Sequence, residues 1–365
     1  MDAFLVNKRI DLVDFDGLKL FMLEDDELYR IAVPEARKHQ DVDAYQQLLA
    51  AQGAPPGPVT PANVQQTASS RHGVSVVMHH LWEHGVDFVV LDIGSHIGDF
   101  GLKIANLIRT FNRQTKVISF DPSEPGALVP YSIELNRLGQ VIKHEMLAVS
   151  NRDGLSLFRY RPGFTSGGEI ATATQGAAAL AAIWLRRFSQ LPLRRRIPAY
   201  LGLACAGLKR MLRLGKVVDS YSLIVRCVDI LGYLERNRLE GDVFAKIDIE
   251  GHDPQVIDQL LRLIARRKLF LIFEFTPIRY ASHEAAVHYL ENLARHFHFF
   301  DLFYCPNPTR FRQIRPDDLG SFVAEVRLRP QGYTDVFLLD KRTPACEELI
   351  KRVAALAPEA DTIIL

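Results

Sequence analysis

The stretch that most constrains the fold is Leu91-Asp92-Ile93-Gly94-Ser95-His96-Ile97-Gly98-Asp99-Phe100-Gly101. It follows a short apolar run, Phe88-Val89-Val90-Leu91, and precedes Leu102 to Arg113, which reads as helix. A strand that gives way to a helix through a tight turn needs backbone freedom there. Gly94 and Gly98 supply it, and neither carries a Cβ that would keep a ligand away. The helix start presents N–H groups without intrahelical partners, which suit a carboxylate. Asp92, at the strand end, is placed to accept from an ammonium group.

The remaining pattern alternates strand and helix, as in a parallel sheet covered on both faces. Lys116-Val117-Ile118-Ser119-Phe120 is a second strand, followed by a helix around Tyr131 to Leu138, and Val141 to Val149 is a weaker third strand. A helix near Val228 to Arg236 precedes a fourth strand, Val243 to Ile247. Helix Pro254 to Arg266 leads to a fifth, Leu269 to Phe273, and two more strands are expected near Phe299 to Tyr304 and Asp335 to Leu339. The expected architecture is a doubly wound Rossmann-like α/β sheet of seven strands, the last one antiparallel. Residues 1–70 read as an accessory hairpin and helix ending in the linker Gln52-Gly53-Ala54-Pro55-Pro56-Gly57-Pro58. The main domain spans 71–345, and 346–365 forms a tail helix.

About 70 residues separate the third and fourth strands, far more than a crossover requires. Within this insertion, at about 161–220, Ile170 to Val218 holds nine Lys and Arg and no acidic residue, interleaved with apolar patches. It is expected to be largely helical. It reads as a solvated excursion, as a wall of an acceptor pocket, or as a patch for a membrane surface or an anionic substrate. The whole chain carries only +1, so no global field favours nucleic acid.

A second motif, Lys246-Ile247-Asp248-Ile249-Glu250-Gly251-His252-Asp253, ends the fourth strand. Ligands of open α/β sheets bind outside the carboxyl ends of strands where the strand order reverses. Asp248, Glu250, His252 and Asp253 would face that crevice and supply candidates for a general base and for hydroxyl recognition. Asp253, before Pro254, also reads as a helix N-cap, and Lys246 as structural. Asp121-Pro122 ends the second strand, where such folds hold ribose hydroxyls with a carboxylate. A divalent metal would have to draw its ligands from one short loop, so none is expected.

Taken in order, Leu91-Asp92-Ile93-Gly94 with Gly98, Asp121-Pro122, Cys227-Val228-Asp229-Ile230-Leu231, Lys246-Ile247-Asp248-Ile249-Glu250-Gly251 and Ile272-Phe273-Glu274 resemble the FkbM family of methyltransferases. The resemblance covers about residues 75–160 and 222–340. Ser95-His96 stands where that family usually has Ala-Asn, and Asp121 where it usually has Glu. The resemblance implies S-adenosylmethionine as cofactor and O-methyl transfer to a hydroxyl of a sugar, glycan or natural product. The cofactor residues would be Asp92, Gly94, Ser95, His96, Gly98, Asp121, Pro122 and Ala148. The catalytic ones would be His252, Glu250 and Asp248, with His96 a further candidate base.

Two other classes compete. A nicotinamide-dependent oxidoreductase would require G-x-G-x-x-G, and the glycines here are spaced differently. A non-catalytic binding module on the same fold leaves the clustered carboxylates unexplained. His80-Leu81-Trp82-Glu83-His84 matches an inverted zinc-protease motif, but it precedes the glycine turn on a helix and lacks a clear third ligand. It reads as helix-surface histidines. The scattered Cys205, Cys227, Cys305 and Cys346, together with an N-terminus lacking a basic and apolar leader, lead to the expectation of a cytoplasmic protein, either free or peripheral at the membrane.

Overall fold

The computed structural model describes residues 10–15, 18–23, 72–161, 164–171, 221–249, 251–302, 311–329 and 332–355. The chain opens with a hairpin, β1 (Ile10–Phe15) and β2 (Leu18–Leu23), as the alternating N-terminal pattern leads one to expect. The expected helix after it and the proline-rich linker lie outside the described residues. Then follow α1 (His72–Glu83), β3 (Phe88–Ile93), α2 (Asp99–Thr110), β4 (Val117–Phe120), α3 (Val129–Leu135) and β5 (Ile142–Glu145). Four further strands come next: β6 (Ala148–Ser150), β7 (Gly154–Arg161), β8 (Phe164–Ala171) and β9 (Tyr221–Asp229). The second half comprises α4 (Ile230–Arg236), β10 (Asp242–Ile247), α5 (Asp253–Leu261), β11 (Leu269–Phe275), α6 (His283–Ala294) and β12 (Phe297–Leu302). It closes with β13 (Phe311–Ile314), α7 (Leu319–Leu328), β14 (Thr334–Asp340) and α8 (Cys346–Ala355).

The main sheet has the order β13-β12-β14-β11-β10-β3-β4-β5. Strands β5, β4, β3, β10 and β11 run parallel, and β14 runs antiparallel between β11 and β12. The sheet thus holds eight strands instead of the seven expected, because the short edge strand β13 pairs with β12. Its sequence, Phe-Arg-Gln-Ile, gives too little apolar pattern to be read as a strand alone.

Alternate strand residues enter two separate cores, the period of a sheet buried on both sides. Phe88, Val90, Phe244, Phe270 and Ile272 face α1, α2, α3 and the β1–β2 hairpin. Val89, Leu91, Val243, Ala245, Leu269 and Leu271 face α4, α5, α6 and α7. Phenylalanines line the first face across the strands: Phe88, Phe270 and Phe337 each lie within 6.1 Å of Phe244, centroid to centroid, and Phe300 lies 6.0 Å from Phe337. Such pairs add to area burial. The hairpin docks on α3 as a neighbouring strand would, with Asn136 accepting from Lys19 N at 3.0 Å and donating to Lys19 O at 2.7 Å.

The region between β5 and α4 departs from expectation in two ways. The weak third strand divides into β5, in the main sheet, and β6, which belongs to a second sheet of order β6-β9-β7-β8. Residues 164–171, inside the insertion expected to be helical, form strand β8, and 172–220 lie outside the described residues. The helix near Val228 starts only at Ile230, because Tyr221–Asp229 is strand. Asp229 caps α4 by accepting from Gly232 N at 2.7 Å.

At the far end of the main sheet, Asp301 is fully buried. It accepts from Arg312 at 3.1 Å, from Arg329 at 2.6 and 3.2 Å, and from Thr334 Oγ1 at 2.6 Å. Glu325 engages both arginines at 2.8 Å. This cluster fastens β12, β13, β14 and α7 together. Removing its central carboxylate strands two guanidinium groups in a partly buried setting. Asp301→Asn is expected to lower unfolding free energy by about 3 kcal/mol, read as a drop in urea midpoint with unchanged slope. A shift of only a few tenths would show that the cluster is not a stabilising clasp.

Candidate functional site

The strand order reverses between β3 and β10. From β3 the chain winds outward through β4 and β5, and from β10 through β11. Helices α2 and α5, which follow these two strands, leave to opposite faces. The loops after the strands must therefore diverge, and they do so around a very close contact. A Cβ on Gly94 would lie 1.8 Å from the carbonyl oxygen of Asp248, and Gly94 has φ +76°. Glycine is needed on both counts.

Lys246 spans the same seam. Its Nζ donates to Gly94 O at 2.8 Å and lies 3.1 Å from Asp248 Oδ2 and 3.9 Å from Asp92 Oδ1. The structural role expected for Lys246 takes this form. Asp92 is fully buried and turned inward, and its Oδ2 accepts from Gly101 N at 2.9 Å. It thus satisfies a first-turn N–H of α2, whose N-cap is Gly98, with no side-chain cap of its own. The carboxylate expected to accept from a ligand ammonium is thus the one that makes this helix-capping contact.

On the other flank, Gly94 N and Ser95 N both donate to Phe120 O at 3.0 Å. Asp121, nearly buried, accepts from His96 N at 2.7 Å and from Ser123 N at 2.8 Å. The carboxylate thus fixes the glycine turn, including His96 in the left-handed region at φ +51°. Gly98 rests on Val129 of α3, and Pro122 is half-buried behind Asp121. Ser95 is buried, and its Oγ has no hydrogen-bond partner.

Asp253 is not the N-cap of α5. His252 holds that position, and the Asp253 carboxylate reaches back to accept from Ile249 N at 3.3 Å and Gly251 N at 3.0 Å. It staples the turn that follows Asp248, in which Gly251 sits at φ +92° against the Arg279 guanidinium. Burial, then the neighbouring Asp248 charge, pushes Asp253 up to about 6. The Asp248 side chain is 43% exposed and His252 half-buried. Glu250 lies outside the described residues.

Ala148 lies on β6, packed with Phe158, Val225 and Cys227 in the second sheet. One group that sequence reading missed is His144, on β5. Its Nδ1 lies 3.0 Å from Ser119 Oγ. Burial drives it down to about 4 despite the opposing pull of Asp121 and Glu145, which leaves a neutral imidazole beside the candidate ribose carboxylate. Only the register pairing Ser119 with His144 reveals it. Glu274, quoted in the sequence motif, accepts from Thr276 Oγ1 at 2.7 Å in the loop after β11.

The His80–His84 pair is not a surface pair: His80 is fully buried and His84 exposed, with His84 Nδ1 2.9 Å from His80 O. Glu83 pairs with Arg352 of α8 at 3.1 Å. No cluster of three or more metal-ligating side chains occurs among the described residues. No family model, no curated protein and no solved structure matches the chain.

The raised Asp253 value fixes the sign of its contribution to stability. The folded state holds this proton up to about pH 6, whereas the unfolded chain releases it near 4. The contribution is therefore complete below about pH 4 and is lost as pH rises to about 6. Wild-type stability relative to Asp253→Asn should fall across that window by roughly 3 kcal/mol at most and stay level above it. Parallel urea-stability curves for the two proteins from pH 4 to 7 would overturn this assignment.

Proposed function

We propose that the chain is an S-adenosylmethionine-dependent O-methyltransferase that acts on a hydroxyl of a sugar, glycan or natural product. The observation that carries the reading is the meeting of three elements at the strand-order reversal: the Gly94–Gly98 turn, Asp121 bonded to it, and the Asp248 loop packed against it. Ligands of open α/β sheets bind in such a crevice. The last strand, β14, lying antiparallel between β11 and β12, supports a methyltransferase-like sheet in particular.

Charge supports the choice of cofactor. Asp92 and Asp248 flank Lys246, Asp253 neighbours Asp248 and Asp121 holds the glycine turn, with Arg279 behind Gly251. The carboxylates outnumber the cations, which favours a ligand bearing positive charge over the pyrophosphate of a dinucleotide. The unpartnered Ser95 hydroxyl at the turn is a further polar group suited to the amino-acid end of the cofactor. S-adenosylmethionine, when bound, supplies a methyl group already activated on sulfur. The chain's own task is to hold the acceptor hydroxyl in line and take its proton. Asp248, half-exposed beside Lys246, and His252, at the start of α5, are the described residues placed for that task, with Glu250 between them in sequence.

Calorimetric titration with S-adenosylhomocysteine, with NAD in parallel, tests the reading. Binding on the order of micromolar to the former and none to NAD is expected. Asp121→Ala, which frees the glycine turn, should weaken that binding about tenfold or more. Binding to NAD alone would move the chain to the oxidoreductases. Absence of both would leave a binding module with no nucleotide site.

A further inference from the structure

Apart from Ala148 at its base, the second sheet supplies none of the candidate site residues, and its surface is unusual. Where it leaves the domain, Val149 of β6 and Val228 of β9 are paired in register and buried under the α4–α5 layer. Gln259 Nε2 donates to Ser150 O at 3.0 Å, and Asp153 pairs with Arg236 at 2.8 Å, so the base of the sheet is fixed to both helices. Farther along β9 on the face of Val228, residues 226 and 224 point the same way. Arg226 is exposed, and Ile224 is 74% exposed. The antiparallel register sets Leu155 of β7, 69% exposed, opposite Arg226. Leu155 and Ile224 are therefore diagonal neighbours on one face, with a guanidinium beside them.

The opposite face is already apolar and buried, through Ala148, Phe158, Val225 and Cys227. Side chains outside a one-sided sheet are ordinarily polar, so the aliphatic pair is not needed to build this core. The strands also bracket the most polarised part of the sequence. β8 ends at Ala171 and β9 begins at Tyr221. Between Ile170 and Val218 the chain has nine Lys and Arg and no acid, while the whole chain is only +1, so the remainder is net negative. A segment of this composition favours an anionic partner over a cationic one.

We propose that the face carrying Leu155, Ile224 and Arg226 is a docking surface for an anionic lipid bilayer. Aliphatic side chains gain by entering the headgroup boundary, with neighbouring cations held at the lipid phosphates. The exposed pair offers no ring on which a nucleic-acid base could stack, which favours lipid over RNA. No helix among the described residues is long and apolar enough to cross a membrane, and the attachment proposed is a peripheral one. This inference does not depend on methyl transfer.

The test is co-sedimentation of the full chain with vesicles of phosphatidylcholine alone and of phosphatidylcholine mixed with phosphatidylglycerol. Binding to the mixed vesicles only is expected, weakened but not abolished by raised salt. The Leu155→Ser, Ile224→Ser double variant should bind roughly tenfold more weakly at an unchanged melting temperature. Arg226→Glu, which leaves the apolar pair intact, should weaken binding to mixed vesicles as well. No binding to anionic vesicles overturns the proposal, as does full binding by both variants. Tighter retention on a single-stranded oligonucleotide than on anionic vesicles would also overturn it, in favour of a nucleic-acid surface.

Discussion

The site is organised by a seam between two parallel strands whose following helices leave in opposite directions. Such divergence opens a crevice, and left alone it would also leave two floppy loops. Here the backbones touch: Gly94 lies on the carbonyl of Asp248, and Lys246 Nζ joins the carbonyl of Gly94 to the carboxylate of Asp248. A lysine this deeply placed is tolerated because a carbonyl and two carboxylates compensate its lost hydration. The seam is thereby closed, and the ligand proposed for this site would lie above it, between Asp121 on one flank and the loop after β11 on the other.

Three of the site's four aspartates spend their oxygens on backbone. Asp92 takes Gly101 N, Asp121 takes His96 N and Ser123 N, and Asp253 takes Ile249 N and Gly251 N. Charge-assisted bonds to amides are among the stronger ones available, and together they define both loops before any ligand arrives. Preorganisation of this kind is what lets a polar site act without reorganising. Asp248 is the exception, with its carboxylate half-exposed and met by a lysine instead of amides.

Much of this was legible in the residues. Strands buried on both faces read as unbroken apolar runs, so β3, β10 and β11 stand out, and the glycines mark the turn by their spacing. What failed to read has physical causes. Residues 164–171, Phe-Thr-Ser-Gly-Gly-Glu-Ile-Ala, show neither an apolar run nor strict alternation, and the apolar residues of 223–228 are interrupted by Arg226 and lead straight into α4, so neither segment has the pattern of a buried parallel strand. Asp253 before Pro254 has the composition of an N-cap, yet its side chain turns backward, and composition does not encode that direction. The inward orientation of Asp92 is likewise set by the amide of Gly101, nine residues later. His144 enters only through strand register, a tertiary fact.

The charges of the second loop form a chain with a consequence for what binds there. Asp253 is raised by burial and by Asp248, while Asp248 is partly neutralised by Lys246 at 3.1 Å. Lys246 is in turn shared with Gly94 and faces Asp92 at 3.9 Å. One cation therefore faces two carboxylates at graded distances, and Asp253 is coupled to them through Asp248. A ligand that brings positive charge near Asp248 relieves Asp253 through the same coupling, tightening the staple on Ile249 and Gly251. A ligand that brings negative charge does the reverse. The cationic ligand proposed for this site and the order of its loop are thus coupled through the carboxylates beside Lys246 at the strand-order reversal.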